Sequence, residues 1–221
     1  MFRREVLFGD RSEAGRKLAE RLTHLAGASP VVLALPRGGI PVGLEIARAL
    51  DAPLDLVLVR KIGAPFQPEL ALGAVVDGGR AKTVLNEALI REYQIPESYL
   101  AEASARELQE IERRRELYLA GRASVPVEGR TAIVVDDGIA TGATMEAALH
   151  ATHRADPKRL VLAVPIAPPD TLERLRPQVD EVACLATPRR FGAIGAFYAD
   201  FRQLTDEEVV GLLRRAPPRE K

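Results

Sequence analysis

Apolar residues fall along the chain in two rhythms. Ala14, Leu18, Leu22 and Leu25 recur at helical spacing between positions 10 and 25, whereas 31–35 is a continuous apolar run stopped by Pro36-Arg37-Gly38-Gly39. The alternation repeats: a helix over 40–50, a buried strand over 54–59, then apolar runs at 70–76 and 81–85 flanking Asp77-Gly78-Gly79 as a hairpin would. The second half continues with strand 131–135, helix 143–155, strand 159–166, helix 169–176 and strand 181–186. Strands without polar alternation, separated by helices, predict an open, mainly parallel α/β sheet with helices on both faces. The stretch 86–121 breaks the rhythm. Pro96 and Ser98 open a long helix whose apolar stripe (Leu100, Leu108, Ile111, Tyr118) is narrow among Glu and Arg. It reads as a helical insertion, an outer layer over the core, with a lid or a dimer contact as the functional alternative.

The 221 residues suit one domain, and 47% apolar content supplies a core. Thirty-one basic residues balance thirty-one acidic ones, which argues against a nucleic-acid or anionic-membrane partner. No apolar run approaches a membrane span, and Met1-Phe2-Arg3-Arg4 leads into charge rather than a signal core, so a cytoplasmic protein is expected. Cys184 is the only cysteine, which excludes an internal disulfide. His150 and His153 share a helix face but lack a third metal ligand nearby.

Ligands of open parallel sheets bind beyond the carboxyl ends of the strands, so the turns there carry the chemistry. After strand 131–135 come Asp136 and Asp137, a short loop of Gly138, Ile139 and Ala140, then Thr141-Gly142-Ala143-Thr144 opening a helix. Loop amides and a helix N-terminus favour a phosphate, the threonine hydroxyls can add hydrogen bonds, and Gly142 lets the backbone approach closely. Two carboxylates beside a phosphate make sense when the ligand also carries hydroxyls or a divalent metal. Ribose 5-phosphate has that layout. The Walker lysine and the dinucleotide glycine fingerprint are both absent.

The run 134–144 resembles the 5-phosphoribosyl 1-pyrophosphate (PRPP) signature of type I phosphoribosyltransferases. The resemblance covers about residues 30–205, leaves the helical insertion unmatched, and does not identify an acceptor subgroup. It implies an enzyme that transfers 5-phosphoribosyl from PRPP to an acceptor, nucleobase-like by expectation, with Mg²⁺ and release of pyrophosphate. Pro36-Arg37-Gly38-Gly39 resembles the family's pyrophosphate loop, including a cis peptide before or at the basic residue. Arg60-Lys61 resembles a basic pair aimed at the pyrophosphate, so Arg37, Arg60 and Lys61 become charge-neutralising candidates. Residues 62–70 occupy the place of the mobile catalytic loop. The stretch 187–205 resembles a small hood, with Phe191 and Ile194 at the base and Asp200 near metal and pyrophosphate. Mg²⁺ would be held mainly through PRPP, with Asp136, Asp137 or Asp200 in support. Ala140 stands where 6-oxopurine members carry an acid, which disfavours hypoxanthine and guanine. The alternative is a PRPP- or nucleotide-binding regulator on the same fold without transferase chemistry. A homodimer is left open.

Overall fold

A computed structural model describes residues 6–77, 81–119 and 124–218. Helix α1 (Arg11–Leu22) is capped by the Asp10 carboxylate, which accepts from the Glu13 amide, and buries Ala14, Leu18, Ala19 and Leu22. Strand β1 (Pro30–Ala34) leads through the Pro36–Gly39 turn into α2 (Gly39–Ala49). After β2 (Leu54–Leu56) the chain forms a hairpin of β3 (Leu58–Ala64) and β4 (Gln67–Asp77), extended by β5 (Ala81–Leu85). Short α3 (Glu87–Glu92) and long α4 (Glu97–Leu119) follow, then β6 (Thr131–Val135), α5 (Ala143–His153), β7 (Arg159–Ile166), α6 (Pro169–Leu175), β8 (Glu181–Ala186) and α7 (Asp206–Leu213).

The main sheet runs β2-β1-β6-β7-β8, all parallel, as the unbroken apolar runs predict. Both of its faces are covered. Val32, Ala34, Ile133 and Val135 point into a core closed by α1, α2, α4 and α7. Val31, Leu33, Ala132 and Val134 point into the other, closed by α5 and α6. Strand order reverses between β1 and β6, which opens a crevice beyond their carboxyl ends.

Two expectations need correction in detail, and one helix lay outside them. The apolar run 54–59 is two elements, because Val57 donates the last bond to the parallel sheet, at Ala34 O, and the chain then turns into a second, antiparallel sheet β3-β4-β5. Residues 62–70 are mostly strand rather than loop: β3 and β4 pair through them, and the Tyr99 hydroxyl donates to Gly63 O at 2.8 Å. Helix α7, not anticipated from periodicity, covers the α2–α4 side through Val209 and Leu213. The expected hairpin at 77–79 lies partly outside the described residues, as do 120 and 121 of the insertion. The rest of that insertion is α3 and α4, with Leu100, Ala103, Ile111 and Tyr118 buried. No helix among the described residues is long and apolar enough to cross a membrane.

Candidate active site

Two turns meet at the crevice. Leu35 donates to Val135 O at 2.9 Å, so the ends of β1 and β6 are in register and the turns after them touch. Contact is close enough to dictate residue size. A Cβ on Gly38 would lie 1.9 Å from Asp137 Oδ2, and one on Gly39 would lie 2.7 Å from Val135 O. The Pro36–Arg37 peptide is cis, where the resemblance placed one.

Two carbonyls of the loop after β6 are tied to α6. Thr171 Oγ1 donates to Ala140 O at 3.0 Å and Arg174 Nη2 donates to Thr141 O at 2.5 Å, both from α6. Among the described residues, the amides of Ala140 to Thr144 have no backbone acceptor. Ala140, Thr141, Ala143 and Thr144 are exposed. Gly142, at φ +83°, is the residue before α5, and an L side chain there would be strained. The result is a row of amides at a helix N-terminus, an anion site by its backbone alone.

Asp136 and Asp137 sit at its edge. Asp136 is partly exposed and its Oδ1 accepts from the Asp137 amide at 2.8 Å; Asp137 is buried. Desolvation raises both carboxyls above the ordinary range, and the Asp137 charge raises Asp136 further. Arg11 opposes this at Asp137, donating from Nε to Oδ2 at 2.7 Å, with both side chains about nine-tenths buried. The Arg11 guanidinium also donates from Nη1 to Arg202 O at 2.9 Å and lies 3.9 Å from the Phe201 ring centre. Tyr198, 2% exposed, donates its hydroxyl to Asp137 O at 2.6 Å, and burial pushes its phenol well up.

The sequence candidates separate into groups. Gly38, Gly39 and residues 136–144 come together at the crevice. Arg37 is turned toward α4 and α7: Nη2 pairs with Asp206 at 3.0 Å, Nη1 donates to Leu204 O at 2.9 Å, and Nε to Tyr118 Oη at 3.3 Å. Arg60 pairs with Glu107 of α4 at 2.7 Å. Lys61, next along the strand and so on its opposite face, lines a cavity of about 500 Å³ between the antiparallel sheet and α5, with Thr144 and His150. Ile194 opens a 3-10 turn (Ile194–Phe197) and presses on the loop, since a Cβ on Gly138 would lie 2.6 Å from its Cγ2. Phe191 packs against Phe197 at 5.4 Å between ring centres. Asp200 lines a second cavity of about 500 Å³ with Arg11, Arg202 and Pro41, beside the first turn of α2.

Arg11 and Tyr198 escaped sequence reasoning. Arg11 carried one signal: a cation in the first turn of a helix opposes the helix dipole, which calls for an acid from elsewhere in the fold. Tyr198 carried none, because its partner is a backbone carbonyl 61 positions away.

The profile of the phosphoribosyl transferase domain matches residues 11–202. The chain is 48% identical over 210 residues to two provisionally named phosphoribosyl transferases of Mycobacterium tuberculosis, strains CDC 1551 and H37Rv. That match takes in 95% of this chain and 47% of theirs, so the chain spans about half the length of the curated relatives it matches. The crystal structure of TT1426 from Thermus thermophilus shares 46% identity and superposes with a TM-score of 0.82, over 96% of this chain and 99% of that one. The chain therefore belongs to the phosphoribosyl transferase domain family, and its α/β fold is of the type I kind.

Proposed function

We propose that this chain transfers 5-phosphoribosyl from PRPP to a nucleobase-like acceptor, with Mg²⁺ and release of pyrophosphate. The observation that carries the reading is the acid pair set against a row of amides that have no backbone acceptor among the described residues, with left-handed Gly142 within the row. Residues 138–144 hold the 5-phosphate and Asp136 and Asp137 accept from the ribose hydroxyls. The Gly38 amide faces the diphosphate, while the Gly39 amide donates to Leu35 O at 3.0 Å and closes the turn. In this scheme Arg37 serves that loop by anchoring it to Asp206, and Lys61 neutralises diphosphate charge if the antiparallel sheet closes over the ligand, while Arg60, on the opposite face of β3, stays paired with Glu107. Phe191 and Ile194 flank the acceptor ring.

The fit for magnesium follows from the donors. Among the described residues no three His, Cys, Asp or Glu side chains stand together as a protein cage. A hard cation here would take most of its ligands from PRPP oxygens and water, backed by Asp136, Asp137 or Asp200, as magnesium does beside phosphates. When bound it neutralises charge on the leaving group.

A PRPP-binding regulator is the second reading. It is favoured by the commitment of Arg37 and Arg60 to Asp206 and Glu107. Isothermal titration with PRPP and Mg²⁺ should show binding that Asp136→Asn with Asp137→Asn weakens while the fold survives. A pyrophosphate-release screen across nucleobases then separates enzyme from regulator. Unchanged PRPP affinity in the double variant would overturn the assignment.

A further inference from the structure

Arg11 reaches the acid pair from the first turn of α1 and also touches the 200–202 stretch, through Arg202 O and the Phe201 ring. Its Nε is committed to Asp137 and its Nη1 to a backbone carbonyl, but among the described residues Nη2 has no hydrogen-bond partner. The same side chain lines the cavity that runs along Asp200, Arg202 and Pro41. Pro41 lies in the first turn of α2, two residues after Gly39, so that cavity begins beside the turn that carries Gly38 and Gly39.

The cavity has mixed charge. Arg202 and Glu208 pair with each other through both guanidinium nitrogens, so it is Asp200 and Glu207 that would repel a bare anion and Arg11 and Arg215 that would repel a bare cation. A diphosphate carrying a divalent metal satisfies both, with acids toward the metal and guanidinium toward phosphate oxygens. Phe201 beneath the guanidinium and Arg202 O beside it hold the Arg11 fork in a fixed plane, so little entropy is lost when an oxygen arrives.

We propose that Arg11 contacts the metal-bound diphosphate and links it to the ribose-binding acid pair, which makes it a specificity residue for PRPP over ribose 5-phosphate. This rests on the phosphoribosyl reading above. The sequence expectation drew the diphosphate cations from Arg37, Arg60 and Lys61; here a further one comes from the first turn of α1.

The test is isothermal titration of the full chain with two separate probes, inorganic pyrophosphate plus Mg²⁺ and ribose 5-phosphate. Arg11→Gln should weaken magnesium pyrophosphate by tenfold or more beyond any effect on ribose 5-phosphate, and Arg11→Lys should recover part of the loss. Equal weakening of both probes would show a purely structural role through Asp137 and overturn the proposal, as would unchanged pyrophosphate binding. If Arg11→Gln fails to fold, Arg11→Lys decides: a selective loss on pyrophosphate of threefold or more supports the contact, and parity refutes it. A wild type that binds ribose 5-phosphate but not magnesium pyrophosphate overturns this proposal alone. A wild type that binds neither overturns the phosphoribosyl reading with it.

Discussion

Gly38 has ordinary helical dihedrals, φ −63° and ψ −34°, so alanine there meets no backbone penalty and would normally be neutral or mildly stabilising. The obstacle is Asp137. An added Cβ would stand 1.9 Å from its Oδ2 and 2.4 Å from its Cγ. The carboxylate would have to retreat by about 1 Å to regain the shortest tolerable contact. It cannot do so freely, because Arg11 Nε holds the same oxygen at 2.7 Å. Breaking a buried ion pair typically costs ~3–5 kcal/mol. For a domain of this length that corresponds to a Tm lowered by roughly 6–20 °C. The cause can be isolated with a double-mutant cycle by urea and thermal unfolding. With Asp137→Ala already in place, the clashing atoms are gone, and Gly38→Ala should then cost under ~1 kcal/mol, a coupling of at least ~2 kcal/mol. Equal costs of Gly38→Ala in the two backgrounds would refute the reasoning and return the glycine to a role in ligand approach alone.

Tyr198→Phe removes the bond to Asp137 O inside the protein and should lower stability by ~1–3 kcal/mol in urea unfolding, because the carbonyl loses its partner; a change within error would show that the bond contributes nothing net. Stability should also depend on pH through the acid pair. Burial first, and the neighbouring charge second, make the folded chain hold a proton more tightly than the unfolded one. That stabilisation is complete below the unfolded carboxylate pKa of ~4 and is lost as pH rises through the raised folded value. Asp136→Asn should therefore gain stability relative to wild type between acid and neutral pH, and parallel curves for the two would contradict it. For the acceptor, Ala140 offers only a methyl group where acid–base help typically contributes ~10²–10⁴ in rate, so hypoxanthine and guanine should be poor substrates. Nucleotide formation from hypoxanthine as fast as from the best acceptor would overturn that reading of position 140.

What the sequence by itself determined is what depends on near neighbours in the chain. The strands of the main sheet were legible because both faces are buried, which leaves unbroken apolar runs such as 131–135 and 159–166. The acid pair, loop and helix start of 136–144 were legible because one turn contains all the donors and acceptors an anion beside a diol requires. The hairpin β3–β4 was not, since Pro65 and Pro68 carry a loop's composition, whereas its strands are held by pairing with each other and by α4 behind them.

Only the tertiary structure decided which charges face the crevice. Arg37 lies in the turn after β1 and Arg60 lies within β3, but α4 and α7 bring Asp206, Tyr118 and Glu107 to them from 47 to 169 positions away, and a guanidinium so paired points toward its acid. Arg11 comes from the opposite direction, 126 positions before Asp137, because α1 packs along α2 and ends its approach at the switch point of the sheet. Periodicity reports which face of an element is buried, and a motif reports the chemistry of one turn. The partner of a buried charge depends on the order in which strands assemble, a long-range property that the local pattern does not encode.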